Sequence, residues 1–409
     1  MRTKILLHLM VLLLVIFLMN SCAKPNETVI GYIQGNIALN GGFGDVEEVL
    51  IQISEINVNP DDNGDFYIAL ASGTYDMTVT LSGYKSQIIT DIVVNKDETT
   101  ADINISLEPV QNIIAFFETE GYARDIFLTD QYLYIAEDQT YFSIYDIISD
   151  TLICHYEEDI ENARLISAVE DENLLFVYDR YGSPGGIMVF DITDISNPLL
   201  INSIIGQTGG IEDMKLNSLN DGRIDVLWTH ENKYQFGVYD TNEINPWIGS
   251  FDFTLPNSIM GFEVADTLLY FGGEQLGLYI AHRETGEIIS TTDTPGEALD
   301  VKIVDNYAFV ADRHEGFAVI DISDVETPIK IYQEDTSGYA QAIDAQDNYL
   351  AIASGGGGVY LYDISDKENP QFLDRIDDAE IGYTYKVIIR DDFVYVATRN
   401  GVYKLEINP

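Results

Sequence analysis

Two cysteines occur in 409 residues, Cys22 and Cys154, so no disulfide framework holds this fold and no four-cysteine metal centre can form. Basic residues are scarce as well: 21 lysines and arginines stand against 68 aspartates and glutamates, a formal net charge of -47. That balance opposes association with nucleic acid or with an anionic bilayer, because contact would raise the density of like charge, and it excludes nucleic acid as a partner. Catalytic signatures are missing too. No His-Glu-x-x-His, Gly-x-Ser-x-Gly or phosphate-cradling Gly-Lys-Ser/Thr stretch is found. Beyond the N-terminal apolar stretch, His155, His230, His282 and His314 stand at no zinc-site spacing from another histidine or cysteine. What is present is apolar: 46% of residues are hydrophobic, enough to fill ordinary cores, so this is not a disordered chain. Cys154, in TLICHYEE, reads as a small buried hydrophobe.

The chain opens MRTK and continues through fifteen largely apolar residues, ILLHLMVLLLVIFLM, of signal-peptide length and short for a membrane span. Met19, Asn20, Ser21 and Cys22 follow, and this close resembles the lipobox of bacterial lipoproteins. The resemblance implies a signal peptide over 1–21, lipidation of Cys22, and a mature protein exported and held by its lipid anchor at the outer membrane or cell surface. Met19 and Asn20 depart from the commonest Leu-Ala pattern of that motif. Residues 22–27 carry a proline and no apolar period, and read as a tether.

Residues 28–110 alternate apolar and polar positions in short runs, as in Leu50 to Ile53, Phe66 to Leu70, Tyr75 to Val79 and Ile103 to Leu107. Period two with Gly, Asn and Asp between the runs predicts antiparallel strands with one face on a core, a small β-sandwich. Gly64-Asp65-Phe66, Gly73-Thr74-Tyr75 and Gly83-Tyr84 punctuate it, with Gly31 and Gly35 upstream. This series resembles the carboxypeptidase regulatory-like domain, which implies a transthyretin-like, Ig-like sandwich acting as a non-catalytic spacer. Asp61, Asp62, Asn63 and Asp65 read as an Asx-turn.

From residue 112 to 409 the chain repeats. VFDITDISNP (189–198), VIDISDVETP (319–328) and LYDISDKENP (361–370) are copies of one phrase, with weaker copies from 144 and 238 and GLYIAH (277–282) between. A spacing of about 40–50 residues is that of a four-stranded propeller blade. In the clearest copy the strands are 298–304, 307–311, 317–322 and 328–334, the last opening on a proline, which suits an edge strand. Counting first strands predicts seven units. The seventh stops after its third strand, and residues 112–118 supply the fourth, closing the ring from the N-terminal side. The phrases resemble the LVIVD repeat of bacterial exported propellers, which implies an all-β, seven-bladed propeller of the binding or scaffold type.

In such a ring the loops between second and third strands share one face with those joining a fourth strand to the next first. The former carry Arg180, Tyr181, His230, Arg313, His314, Arg399 and Asn400; the latter carry Tyr122, Arg124, Tyr339, Gln341, Tyr383 and Tyr385. Scarce cations and aromatics therefore collect on one face, suited to a protein or carbohydrate ligand, above all one with anionic groups. The competing reading of Arg180 and Arg313, each after an aspartate, is a repeated turn with locally balanced charge. Asn217, Asp221 and Asp225 resemble the calcium loop of FG-GAP repeats, so Ca²⁺ is the one cofactor considered; Leu219 removes a ligand, and a plain hairpin competes. Two functions follow. The first is a non-catalytic binding or scaffold lipoprotein. The second is a propeller hydrolase or lyase with a metal in the channel, for which Asp125, Asp213 and Asp300 are the carboxylates unless they cap the channel.

Overall fold

A computed structural model describes residues 30–407 except 42, 43, 82, 111, 182–184, 205–209 and 220. The signal segment, Cys22 and the tether lie outside these residues. The chain divides into two compact units, one built from residues up to 108, the other from 109 onward together with 82–84. The second unit takes in 82–84 because Tyr84 bridges to Pro109 and Val110 N–H donates to the Gly83 carbonyl at 3.0 Å.

In the first unit Ile30–Leu39 pairs antiparallel with Asp65–Ala71 and parallel with Thr99–Leu107. A second sheet orders Ile56–Val58, Leu50–Ile53, Gly73–Thr80 and Gln87–Val94. Alternation does what period two requires: Ile33, Ile37, Phe66, Ile68, Ile51, Ile53, Met77 and Val79 are all buried. A Cβ on Gly35 would stand 2.1 Å from the Ile103 carbonyl oxygen, so only glycine lets these two strands lie side by side. The turn before Asp65 is the expected Asx-turn: Asp61 Oδ1 accepts from the N–H groups of Asn63 (3.0 Å) and Asp65 (2.9 Å).

The second unit holds seven four-stranded antiparallel sheets among the described residues. They begin with the strands Tyr122–Leu128, Ala163–Val169, Ile211–Ser218, Phe262–Ala265, Asp300–Val304, Ala342–Gln346 and Thr384–Arg390. Six run in simple chain order. In the last, Thr384–Arg390, Phe393–Thr398 and Gly401–Glu406 are completed by Ile113–Glu118, with Phe117 opposite Val402. Each neighbouring pair of sheets shares an apolar core. The seam between last and first is no exception, packing Ala115, Phe117, Tyr395 and Val402 against Ile126, Leu133, Ile135 and Tyr145. The sheets therefore form a closed ring. Cys154 is buried within it, which pushes its thiol up to about 11.

The repeated phrase has a structural reason. Asp191, Asp321 and Asp363 end third strands, and each accepts the N–H two residues on, at 2.8, 2.9 and 2.7 Å. Asp194, Asp324 and Asp366 repeat the contact one turn later. Between them Ile192, Ile322 and Ile364 drop into the core. Two linked Asx-turns thus carry the chain to the fourth strand, which lies at the sheet edge just after Pro198, Pro328 or Pro370.

Candidate functional site

Three cation groups are built from the loops after second and fourth strands together with the starts of first strands, where Tyr122, Arg124 and Tyr385 lie in place of the loops expected for them. In the first, Arg399 lies over Tyr122 at 5.2 Å and over Tyr383 at 5.8 Å, and Arg124 lies over Tyr385 at 4.8 Å. Tyr385 packs against Tyr383 at 5.1 Å and Tyr122 at 6.4 Å, so two arginines and three tyrosines from the first and last sheets make one cluster. In the second, Arg313 sits at a left-handed turn (φ 50°), its guanidinium 4.5 Å over Tyr339 and ion-paired with Glu297. The His314 ring meets Tyr339 edge-on at 4.3 Å. Arg313 Nε is buried and finds no acceptor among the described residues. In the third, Arg180 lies 5.2 Å over Tyr181.

Arg164, which the loop mapping leaves out, joins Arg124 in lining a pocket of about 110 Å³ with Glu212, Gln341, Tyr385 and Lys386. Burial first, then the charges of Arg124 and Arg180, hold its guanidinium below its ordinary basicity. Asp125, Asp213 and Asp300 line the same pocket, so its three cations face four carboxylates. His230 is not part of these groups; it ends its strand opposite Ile211 and Lys233.

Asn217 and Asp225 are cross-strand partners in a hairpin, joined at 3.3 Å. Asp225 also receives Arg283 at 2.8 Å, and Asp221 is gripped by the Arg223 guanidinium at 2.6–3.1 Å. The oxygens a calcium ion would need are given to arginines, which favours the hairpin.

Behind the pocket, first strands line a channel of about 320 Å³. Here Asp125, Asp213, Asp300 and Asp344 each accept the backbone N–H of a first strand in the next sheet, from Ile166 (3.0 Å), Phe262 (3.1 Å), Ile343 (3.2 Å) and Ile389 (2.8 Å). Lysines stand among them: Lys386 Nζ is 3.5 Å from Asp300, Lys215 lies 3.8 Å from Asp213 and 3.7 Å from Glu263, and Lys302 is 2.9 Å from Asp344. Burial alone would lower Lys386, but Asp300, Asp213 and Asp125 outweigh it and hold the ammonium above its ordinary value. Burial pushes Asp125 up to about 6, partly countered by Lys386. The four aspartates thus join sheets, and Asp213, Asp300 and Asp344 also pair with lysines. In the sequence the lysines are visible only as rare cations within apolar strands.

A pH test follows. The native state keeps the Asp125 proton between about pH 4 and pH 6, where the unfolded chain releases it. The contribution is favourable below pH 4 and lost as pH rises through 6. An asparagine in place of Asp125 would keep an acceptor for the Ile166 N–H without titrating. Asp125→Asn should therefore gain about 1–3 kcal/mol on the native protein between pH 4 and pH 7.5, read from urea unfolding of both. A constant difference removes Asp125 from the titrating groups.

Comparison with known proteins supplies the fold's kin. The LVIVD repeat profile matches residues 120–151, 295–336 and 337–378. Human carboxypeptidase D is 35% identical over 100 residues, 24% of this chain and 7% of that protein, so the chain spans a small part of that curated relative. Among solved structures, the computationally designed Ika8 protein aligns with 73% of this chain and 100% of its own at TM-score 0.54 and 12% identity. The U3-55K structure aligns with 72% of this chain and 98% of its own at 0.57 and 10%. Raptor of Chaetomium thermophilum aligns with 73% of this chain and 29% of its own, also at 0.57 and 10%. At these identities the likeness speaks to fold alone. The chain carries LVIVD repeats in a repeat, β-propeller-like, all-β domain.

Proposed function

We propose that this is an exported, membrane-held lipoprotein anchored through Cys22, whose seven sheets are the blades of a seven-bladed propeller serving as a non-catalytic binding module. The ligand is a protein or glycan presenting anionic groups to the arginine–tyrosine face. The observation that carries this reading is that Arg124, Arg313 and Arg399 each lie over a tyrosine ring, Arg313 and Arg399 from loops after second strands and Arg124 from the start of a first strand. Guanidinium planes held flat by aromatics are pre-set for charge-assisted hydrogen bonds, while the rings offer stacking area to a sugar. The unsatisfied Nε–H of Arg313 supports the same reading. The first unit, with its two sheets, is a transthyretin-like sandwich acting as a spacer. The similarity to carboxypeptidase D, over a length close to that unit, supports a regulatory-like module, without any His-Glu-x-x-His motif in this chain.

A channel metal enzyme, hydrolase or lyase, is the second reading. The lysines inserted among Asp125, Asp213, Asp300 and Asp344 weigh against it, because an ammonium already neutralises those carboxylates. Changing Arg180, Arg313 and Arg399 together to Gln tests the first. Binding to arrays of acidic glycans and peptides should fall at least about tenfold, since each charge-assisted contact contributes more than about 1 kcal/mol. Undiminished binding by a folded triple variant would end it.

A further inference from the structure

Near the end of the second strand of the first sheet, Glu137 is fully buried. Its Oε2 accepts the N–H groups of Glu120 (2.9 Å) and Gly121 (3.2 Å), and its Oε1 accepts the Ser143 hydroxyl. Ser143 has one proton, and it goes to this carboxylate. The 2.8 Å contact between Ser143 Oγ and His155 Nδ1 must then be donated by the imidazole. With Nδ1 engaged as donor, Nε2 is the ring nitrogen left to offer a lone pair to a metal ion.

That lone pair faces two carboxylates. Nε2 lies 3.7 Å from Glu120 Oε2 and 3.9 Å from Glu157 Oε1, and it is buried with no hydrogen-bond partner among the described residues. Both distances are too long for a hydrogen bond. One ligand atom from each of Glu120, His155 and Glu157 lies within 4.8 Å of the other two, a grouping that a single ion could join. The edge of a tetrahedral zinc site with 2.0–2.1 Å bonds is about 3.3 Å, shorter than the 3.7 and 3.9 Å from Nε2 to the two carboxylates and than the 4.8 Å within which all three atoms lie. The two glutamate side chains are 65% and 64% exposed and free to close that gap.

We propose that Glu120, His155 and Glu157 bind a divalent transition-metal ion, with zinc the best fit. One imidazole nitrogen and two carboxylates neutralise a 2+ charge and suit zinc or cobalt. Glu137 and Ser143 form the outer shell that fixes the tautomer and aims Nε2, the role a carboxylate commonly plays behind a metal-bound histidine. Three protein ligands leave a fourth position for water. The site uses none of the residues of the arginine face, so either can fail without the other.

The test uses the full chain stripped with chelator. Zn²⁺ titrated by calorimetry against excess Mg²⁺ should show a single tight site. Because both glutamates are exposed, Glu120→Gln with Glu157→Gln should leave folding intact while weakening that site at least about 100-fold, and His155→Gln should do the same. Ser143→Ala, which removes only the aim of the ring, should weaken it about 10–100-fold. Co²⁺ should give a visible ligand-field band that these variants lose. Only weak, many-site uptake by the wild-type chain, or tight uptake unchanged in the double glutamate variant, would overturn the assignment.

Discussion

Phe117→Ala should cost about 3–5 kcal/mol of stability, the largest effect expected from any single truncation in the closing strand. Phe117 is fully buried, its ring 5.2 Å from Tyr145 in the first sheet and 6.3 Å from Tyr395 in the last. Removing it empties space at the one seam where strands from the two ends of the ring meet. Ile114, three residues earlier on the same strand, is 37% exposed, and Ile114→Ala should cost less than about 1 kcal/mol. Urea unfolding of the pair measures the contrast. Similar small losses for both would mean that this strand does not hold the ring shut.

Lys386→Met should be the second most damaging change, at about 2–4 kcal/mol near pH 8. The lysine stands 3.5 Å from Asp300 and draws charge from Asp213, Asp125 and Asp344 as well. Without it, carboxylates that burial already pushes up face one another with less compensation. The side chain is 26% exposed, so water relieves part of the loss and keeps it below the roughly 3–5 kcal/mol of a fully buried pair. The sign with pH is set by the acids: as pH falls through about 6 the native variant takes up protons that relieve the repulsion. The deficit should therefore shrink at pH 5. A deficit equal at pH 5 and pH 8 would point to lost packing in place of lost charge.

Repetition makes the ring legible from sequence. The Asp-Ile-Ser-Asp phrases mark equivalent turns in different sheets, so one well-read copy locates strands in weaker ones, and the missing last strand identifies Ile113–Glu118 by its place before Tyr122. The arginine–tyrosine face is partly legible for the same reason, since equivalent loops fall on the same side. What escapes lies at non-equivalent positions. Arg164 and Lys386 share one pocket, and Lys215, Lys302 and Lys386 share the channel, only because first strands converge there, a curvature no local period expresses. His155 has no histidine or cysteine at ligand spacing; its neighbours Glu120 and Glu157 come from a loop and from just past an edge strand. In a chain with 68 acidic residues, two more glutamates carry no signal.

Closing the ring with a strand from its own start also fixes when the ring can exist. Phe117 emerges during synthesis long before its partner Val402, so the closing sheet is the most non-local contact in the unit and should be among the last to form. Until then Gly401–Glu406 offers an unpaired edge, the kind of surface that recruits another chain. In the exported lipoprotein proposed above, the ring is complete only once Gly401–Glu406 has met Ile113–Glu118.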